Sequence, residues 1–224
     1  MKFDYAIVIP VYQGRHRLIA LIPEIQKWDI KIVIVDDGSS DGIRADDFDP
    51  NITLLTHEIN RGKGAALQTG LNWLKGNGFS HAITMDADGQ HAPESIGSFL
   101  ETSKSSPQSL IYGRRNIKGS AMPLDRRFSN IVTSALLSLF VGTRIYDSQV
   151  GFRLYPLKQD SLWTINEDGF QFESAIFFRA KKLAIPLKWV EIPVIYGNES
   201  SHMDYINDTL KFVKLLMTSI VKDI

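Results

Sequence analysis

The feature that most constrains the fold is an alternation along the first half of the chain: short apolar runs, several rich in Ile and Val, separated by stretches with helical periodicity. The runs are Tyr5 to Val11, Ile30 to Val35, Ile52 to Thr56, His81 to Met85 and Leu110 to Tyr112. They are too short for core helices and suit strands buried on both faces. Between the first two, Leu18, Ile22 and Ile25 stand at helix spacing, and Pro23 predicts an irregular or late-starting helix. Ala65 to Leu74 and Ile96 to Leu100 fill the next long gaps. Repeated strand, helix, strand units predict right-handed crossovers and an α/β chain: a mainly parallel, Rossmann-like sheet with helices on both faces. Ligands of such sheets gather at the carboxyl ends of the strands.

The second half is less regular. Phe128 to Val141 reads as a helix, Phe152 to Tyr155 as a short strand and Phe172 to Leu183 as a helix. Lys188 to Ile195 reads as a strand that Pro193 marks as an edge. Tyr205 to Val221 reads as a closing amphipathic helix, with Leu210, Val213, Leu216, Met217, Ile220 and Val221 at helical spacing. No repeat or long linker divides the chain, and 224 residues fit one domain with elaborations.

Composition narrows the classes of function. Lys plus Arg and Asp plus Glu both total 25, a zero balance that excludes a protein devoted to covering a nucleic-acid backbone. The absence of cysteine removes disulfides, thiolate metal sites and Cys nucleophiles, and suits a reducing compartment. The opening Met1-Lys2-Phe3-Asp4 runs into an apolar stretch too short for a secretion signal, which predicts a cytoplasmic protein. The longest uncharged stretch, Phe128 to Thr143, is 16 residues, short of the roughly 20 a bilayer span needs. A buried core helix is the expectation there; a helix lying in a membrane interface is the alternative.

Three loops at strand ends can carry chemistry. Asp36-Asp37-Gly38-Ser39-Ser40-Asp41-Gly42 places two carboxylates where a base or ribose would lie, or simply forms an Asx turn. In Asp86-Ala87-Asp88-Gly89-Gln90-His91, strand alternation would direct Asp86 and Asp88 to one side, with Gly89 turning Gln90 back. Two carboxylates and an amide oxygen form a hard donor set suited to Mg²⁺ or Mn²⁺. Asn60-Arg61-Gly62-Lys63-Gly64-Ala65-Ala66 opens a helix, where free amides can hold an anion, although it is not a Walker loop. Arg114, Arg115, Arg126, Arg127 and Arg153 form a basic group that could grip phosphates or be solvated surface.

Taken in order, Val8-Ile9-Pro10-Val11-Tyr12, the Asp36 to Gly42 run, Asn60 to Ala66, Asp86 to His91, the Arg114/Arg115 pair, Asp147 to Arg153 and Phe172-Glu173 resemble family 2 glycosyltransferases of the GT-A fold. More narrowly they resemble the dolichyl- or polyprenyl-phosphate mannose and glucose synthase branch. The resemblance implies a single GT-A domain over residues 1–224, with a nucleotide-sugar half at 1–113 and an acceptor half at 114–224. It implies that Pro10, Tyr12, Asp37 and the Gly62, Lys63, Gly64 loop line the nucleotide pocket beside Asp86, Ala87 and Asp88. Asp86 and Asp88, helped by Gln90, would hold Mg²⁺ or Mn²⁺ on the diphosphate. Arg115 would match the arginine after the fifth strand, and Arg126 or Arg127 an acceptor-phosphate arginine. Ser201-His202 with Asp208 resembles a late Ser-His element of bacterial relatives.

The implied reaction is inverting transfer of a hexose from a UDP- or GDP-sugar to a polyprenyl phosphate. An anionic phosphate needs arginines and no general base, whereas a hydroxyl acceptor needs a carboxylate, for which Asp147 and Glu173 are the candidates. A glycan or other hydroxyl acceptor, and a catalytically silent nucleotide-sugar-binding module, are the alternatives. Oligomeric state is left open, and the closing helix either packs on the core or makes peripheral contact with the cytoplasmic membrane face.

Overall fold

The computed structural model describes residues 4–116, 122–158, 165, 171–193 and 195. The expected closing helix at Tyr205 to Val221, and Ser201, His202 and Asp208, lie outside these residues. Strands β1 (Tyr5–Val11), β2 (Lys31–Asp36), β3 (Thr53–Thr56), β4 (His81–Thr84), β5 (Leu110–Arg115), β6 (Arg153–Pro156) and β7 (Leu187–Ile192) form one sheet in the order β3-β2-β1-β4-β6-β5-β7. Every pairing is parallel except those of β6, which runs antiparallel between β4 and β5. Helices α1 (Arg15–Gln26), α2 (Lys63–Gly76), α3 (Ile96–Ser105), α4 (Leu124–Val141) and α5 (Gln171–Lys182) connect and cover the strands.

The apolar runs are continuous because the strands are covered on both sides. Ala6, Ile7, Val8 and Ile9 are all fully buried, so neither face of β1 meets water. On one face Gly70 of α2 lies so close to Val8 that a Cβ would sit 2.4 Å from its Cγ1, and α5 packs beside α2. On the other face α3 meets the segment after α1 where Gly97 abuts Trp28, and Phe99 stacks on Phe152 at 4.4 Å.

Several boundaries differ from the sequence reading. Helix α1 starts at Arg15 and keeps Pro23 inside it. Pro23 and Ile19 both lie on the exposed side, where the carbonyl that loses its donor can meet water. Helix α4 begins at Leu124, one turn before the apolar run, because its first turn is charged. Strand β7 ends at Ile192 instead of Ile195, since Pro193 has no N–H for the ladder, and β7 is a sheet edge as expected.

Helix α4 meets the core-helix expectation only in part: Leu137 and Val141 are buried in the core, and Leu136 and Phe140 pack against it. Its hydroxyl and amide side chains point inward, with Asn130 and Ser134 buried, while Phe128, Ile131, Val132 and Leu139 are exposed. Among the described residues no helix is long and apolar enough to cross a membrane.

The chain order reverses about β1: β2 and β3 extend one way, and β4 begins the other half. A crevice is expected where the order reverses, at the carboxyl ends of β1 and β4. Pro10, Tyr12, Asp37 and Asp86 all belong to that end of the sheet.

Candidate active site

The loop after β2 is built by its own carboxylates. Asp36 Oδ1 accepts the Ser39 amide at 2.9 Å, which is the Asx turn the composition suggested. Asp37 has a different task. Its Oδ1 accepts the Arg61 amide at 3.0 Å and its Oδ2 the Gly62 amide at 2.8 Å, so it clamps the loop that opens α2. His57 Nδ1 lies 2.6 Å from the same Oδ1, and its Nε2 lies 2.9 Å from Thr69 Oγ1. Gly38 (φ +75°) allows this closure, because a Cβ there would lie 2.6 Å from the Ile59 carbonyl carbon. The Gln13 amide donates to Ser39 Oγ at 2.9 Å and ties the β1 loop to the same point. Pro10, Tyr12, Asp37 and Gly62–Gly64 are thereby brought together. Pro10 and Asp37 are buried, and the Tyr12 ring is open to solvent.

At β4 the strand ends at Thr84, two residues before Asp86. Strand alternation therefore does not set the disposition of Asp86 and Asp88; the turn does. Asp88 Oδ1 accepts the Gln90 amide at 2.9 Å, and Gly89 takes φ +76°. His91 folds back beneath the turn, its Nδ1 accepting the Asp86 amide at 3.3 Å and its ring stacking on Phe152 at 5.2 Å. Gly151 walls the other side of Asp86: a Cβ there would lie 2.4 Å from Oδ2 and 2.6 Å from Oδ1. Thr84 Oγ1 pins that segment by donating to the Gly151 carbonyl at 2.7 Å.

Lys63, the first residue of α2, reaches into this turn. Its Nζ lies 2.7 Å from Asp86 Oδ1 and 3.1 Å from Glu173 Oε1 in the first turn of α5. Burial alone would raise the Asp86 carboxyl, but Lys63, then His91 and last Arg115 hold it below the ordinary carboxylate range. Lys63 answers in kind: against the opposing effect of burial, Asp86 and Glu173 keep it above the usual lysine value. Burial pushes His91 down to about 4, and the nearby Arg115 and Lys63 charges act in the same direction.

A second network stands beside the first. Arg115 grips Asp147 in bidentate fashion, Nε to Oδ2 at 2.6 Å and a terminal nitrogen to Oδ1 at 2.9 Å. Asn130 of α4 donates to Asp147 Oδ1 at 3.0 Å, and the Gln149 amide approaches it at 3.3 Å. Asp147 is thus buried and saturated.

The arginines that cluster in sequence separate in space. Arg115 binds Asp147, whereas its neighbour Arg114 stacks on Tyr146 at 4.2 Å and Trp189 at 5.1 Å beside Glu191. Arg153 is no phosphate ligand: it is fully buried and donates to the carbonyls of Ser148 and Val150, each at 2.9 Å, and of Glu173. The side chain of Arg126 lies outside the described residues. His57 and the clamping role of Asp37 were missed by the sequence reading. A single His directly after a short apolar run has no periodic signal, and only the chain fold brings it to Asp37.

The donors present suit a hard divalent cation. Two carboxylates and an amide oxygen within five residues are what a Mg²⁺ or Mn²⁺ that keeps water and substrate phosphates would use. Asp86 already neutralises an ammonium at ion-pair distance, so its carboxylate faces a cation in this fold. Among the described residues no three His, Asp or Glu side chains converge as a closed metal cage.

Comparison with known proteins identifies the family and the fold. Residues 6–180 match the glycosyl transferase family 2 model. The polyprenol monophosphomannose synthase of Mycolicibacterium smegmatis is 28% identical over 204 residues, 85% of this chain and 76% of that protein. The undecaprenyl-phosphate mannosyltransferase of Micrococcus luteus is 29% identical over 200 residues, 84% of this chain and 77% of that protein. Among solved structures, mannosyl-3-phosphoglycerate synthase from Rubrobacter xylanophilus superposes with a TM-score of 0.79 at 16% identity, over 99% of this chain and 75% of that one. Glucosyl-3-phosphoglycerate synthase from Mycobacterium tuberculosis, in complex with Mn²⁺, UDP and phosphoglyceric acid, superposes with a TM-score of 0.77 at 13% identity, over 96% of this chain and 78% of that one. The chain belongs to glycosyl transferase family 2 and is a nucleotide-sugar-dependent glycosyltransferase with the GT-A fold.

Proposed function

We propose that this glycosyltransferase moves a hexose, with inversion, from a UDP- or GDP-sugar to a polyprenyl phosphate or closely related phosphate acceptor. The observation that carries this reading is the state of the two carboxylates that could serve as a base. Asp147 accepts from Nε and a terminal nitrogen of Arg115 and from Asn130, and Glu173 is paired with Lys63. A hydroxyl acceptor would need one of them released to take its proton, whereas a phosphate oxygen attacks without deprotonation. The names of the M. smegmatis and M. luteus relatives point to the same acceptor chemistry.

In the proposed step, a phosphate oxygen of the acceptor forms a bond to the anomeric carbon as the bond to the nucleotide diphosphate breaks. The leaving oxygen departs with the electron pair. Attack from the face opposite the departing group inverts the configuration, and Asp147 and Glu173, being engaged, are not offered as nucleophiles for a covalent intermediate. Asp86 and Asp88, with Gln90, would hold Mg²⁺ or Mn²⁺, which supplies charge neutralisation for the diphosphate. Pro10, Tyr12, Asp37 and the Gly62–Gly64 loop position the nucleotide. Arg115, fixed in direction by Asp147, aims positive charge at the reacting phosphates, and Arg126 or Arg127 would complete the acceptor grip. The exposed Phe128, Ile131, Val132 and Leu139 of α4 supply an apolar face for peripheral contact with the membrane that would hold a lipid acceptor.

The test is an acceptor comparison with radiolabelled UDP-glucose, UDP-N-acetylglucosamine and GDP-mannose. Transfer to a short polyprenyl phosphate, with none to the matching polyprenol or to free sugars, is the expected result. Transfer to hydroxyl acceptors alone, abolished in Glu173→Gln, would replace this reading with the hydroxyl one.

A further inference from the structure

Lys63 occupies a place that the proposed chemistry needs for something else. Its ammonium contacts Asp86 Oδ1 at 2.7 Å, and Asp86 is a carboxylate assigned to the divalent ion. Gly151 closes against both oxygens of the same carboxylate, so access to Asp86 is already narrowed on that side. A dication on Asp86 would be pressed against the ammonium at close range in a site where Asp86 is only 22% and Lys63 only 17% exposed, and water screens little of that repulsion. The flexible four-carbon stem of Lys63 lets its head swing without moving the helix. It rises from the first residue of α2, the end of a helix where anions are favoured, and the loop before it is held by Asp37.

We infer that Lys63 is a displaceable counter-ion: it neutralises Asp86 while the nucleotide is absent and moves to the diphosphate when the nucleotide arrives, so that metal and nucleotide bind as a coupled pair. This rests on the nucleotide-diphosphate reading of the site given above. The exchange keeps Lys63 and Asp86 each opposite a counter-charge before and after binding. Before binding, Lys63 faces Asp86 and Glu173; afterwards the ammonium faces phosphate oxygens and Asp86 faces the divalent ion. Linkage then requires each ligand to raise the affinity for the other by the same factor.

The experiment is a Mn²⁺ titration followed by electron paramagnetic resonance of the free ion, on the full chain alone and with saturating UDP or GDP. Nucleotide should tighten Mn²⁺ binding to the wild type by about tenfold or more, within the usual span of site-to-site coupling. Lys63→Ala should bind Mn²⁺ about tenfold more tightly than wild type without nucleotide and lose most of the nucleotide effect. Lys63→Met, which keeps the stem length, should behave alike and replaces the alanine variant if that one fails to fold. Adding Asp86→Asn should remove the gain, and Arg61→Ala, which deletes a charge from the same loop, should leave nucleotide-free Mn²⁺ binding within about twofold. Nucleotide-free Mn²⁺ binding unchanged or weaker in the Lys63 variants, or equally improved in Arg61→Ala, overturns the counter-ion role while leaving the glycosyltransferase site intact. Failure of the wild type to bind UDP or GDP with or without Mn²⁺ overturns the underlying site reading as well.

Discussion

Replacing Gly151 by alanine would test how tightly the Asp86 carboxylate is fixed. No positive φ is involved at Gly151, so the substitution adds a methyl group without backbone strain. That methyl would lie 2.4 Å from Asp86 Oδ2, 2.6 Å from Oδ1 and 2.7 Å from Cγ, whereas real Cβ atoms essentially never approach within 3.0 Å. The carboxylate must therefore retreat by about 0.6 Å, the difference between those two distances. Thr84 holds the Gly151 carbonyl at 2.7 Å, so the backbone does not yield freely and the carboxylate takes up the displacement. Overpacking costs about 1–3 kcal/mol, and here the lower end applies because the clash is with one short polar side chain beside the crevice. Catalytic geometry is more sensitive: about 1 Å of misplacement can cost ~10²-fold, so roughly 0.6 Å predicts a loss on the order of tenfold in kcat/KM. The assay pairs thermal unfolding with donor turnover and calorimetric binding of nucleotide in the presence of Mn²⁺. Gly76→Ala, at the last residue of α2 with open space around it, is the control and should be neutral or stabilising by up to about 1 kcal/mol. Gly151→Ala with wild-type turnover and nucleotide affinity would refute the premise that the Asp86 position matters to the reaction.

Two further outcomes follow from other parts of the molecule. Arg153→Met should destabilise the protein by about 3 kcal/mol or more, because three buried carbonyls lose their donor. Arg153→Lys should recover only part of this, since a lysine head cannot reach all three in the planar fork; denaturant unfolding midpoints at constant m-value read both. Stability should also fall as pH drops below about 6.5, the value at which unfolded histidines titrate. Burial holds His91 down to about 4 and lowers His81 as well, so the unfolded chain takes up protons first. Each such group gives a slope of at most about 1.4 kcal/mol per pH unit between its folded value and about 6.5; its stability contribution is present in full above 6.5 and is lost as pH falls toward the folded value. Unfolding free energies that stay flat from pH 7 to pH 5, with both imidazoles titrating near 6.5 by NMR, would contradict the burial argument.

Much of the fold was legible because its strands carry their own signal. A strand buried on both faces must be apolar throughout, and β1, β2 and β4 announce themselves in that way. Helix α1 was harder, since Pro23 hides in a continuous helix whose exposed side tolerates the lost hydrogen bond. Helix α4 was only half legible, because the side it buries mixes Leu137 and Val141 with Asn130 and Ser134 while Phe128, Ile131, Val132 and Leu139 stay exposed. The insertion of β6 between β4 and β5 depends on long-range pairing that no local periodicity encodes. The site divides along similar lines. Asp86, Asp88 and Gln90 stand together in one short loop and were visible as a donor set. The bridge from Lys63 to Asp86 and Glu173 joins three elements far apart in sequence, and the removal of Arg153 from the phosphate-binding group followed only from its burial. His57 was silent for the same reason, its role being defined wholly by Asp37 and Thr69.

The central claim is that the carboxyl end of β4 receives the diphosphate of a nucleotide sugar together with a divalent ion. Calorimetric titration of UDP- and GDP-sugars, with and without Mn²⁺, into wild type and Asp88→Ala tests it most directly. The account predicts selective, Mn²⁺-dependent binding of one nucleotide class that is lost in Asp88→Ala while the variant unfolds near the wild-type temperature. Binding of equal strength in both proteins, or donor binding indifferent to Mn²⁺, would contradict it.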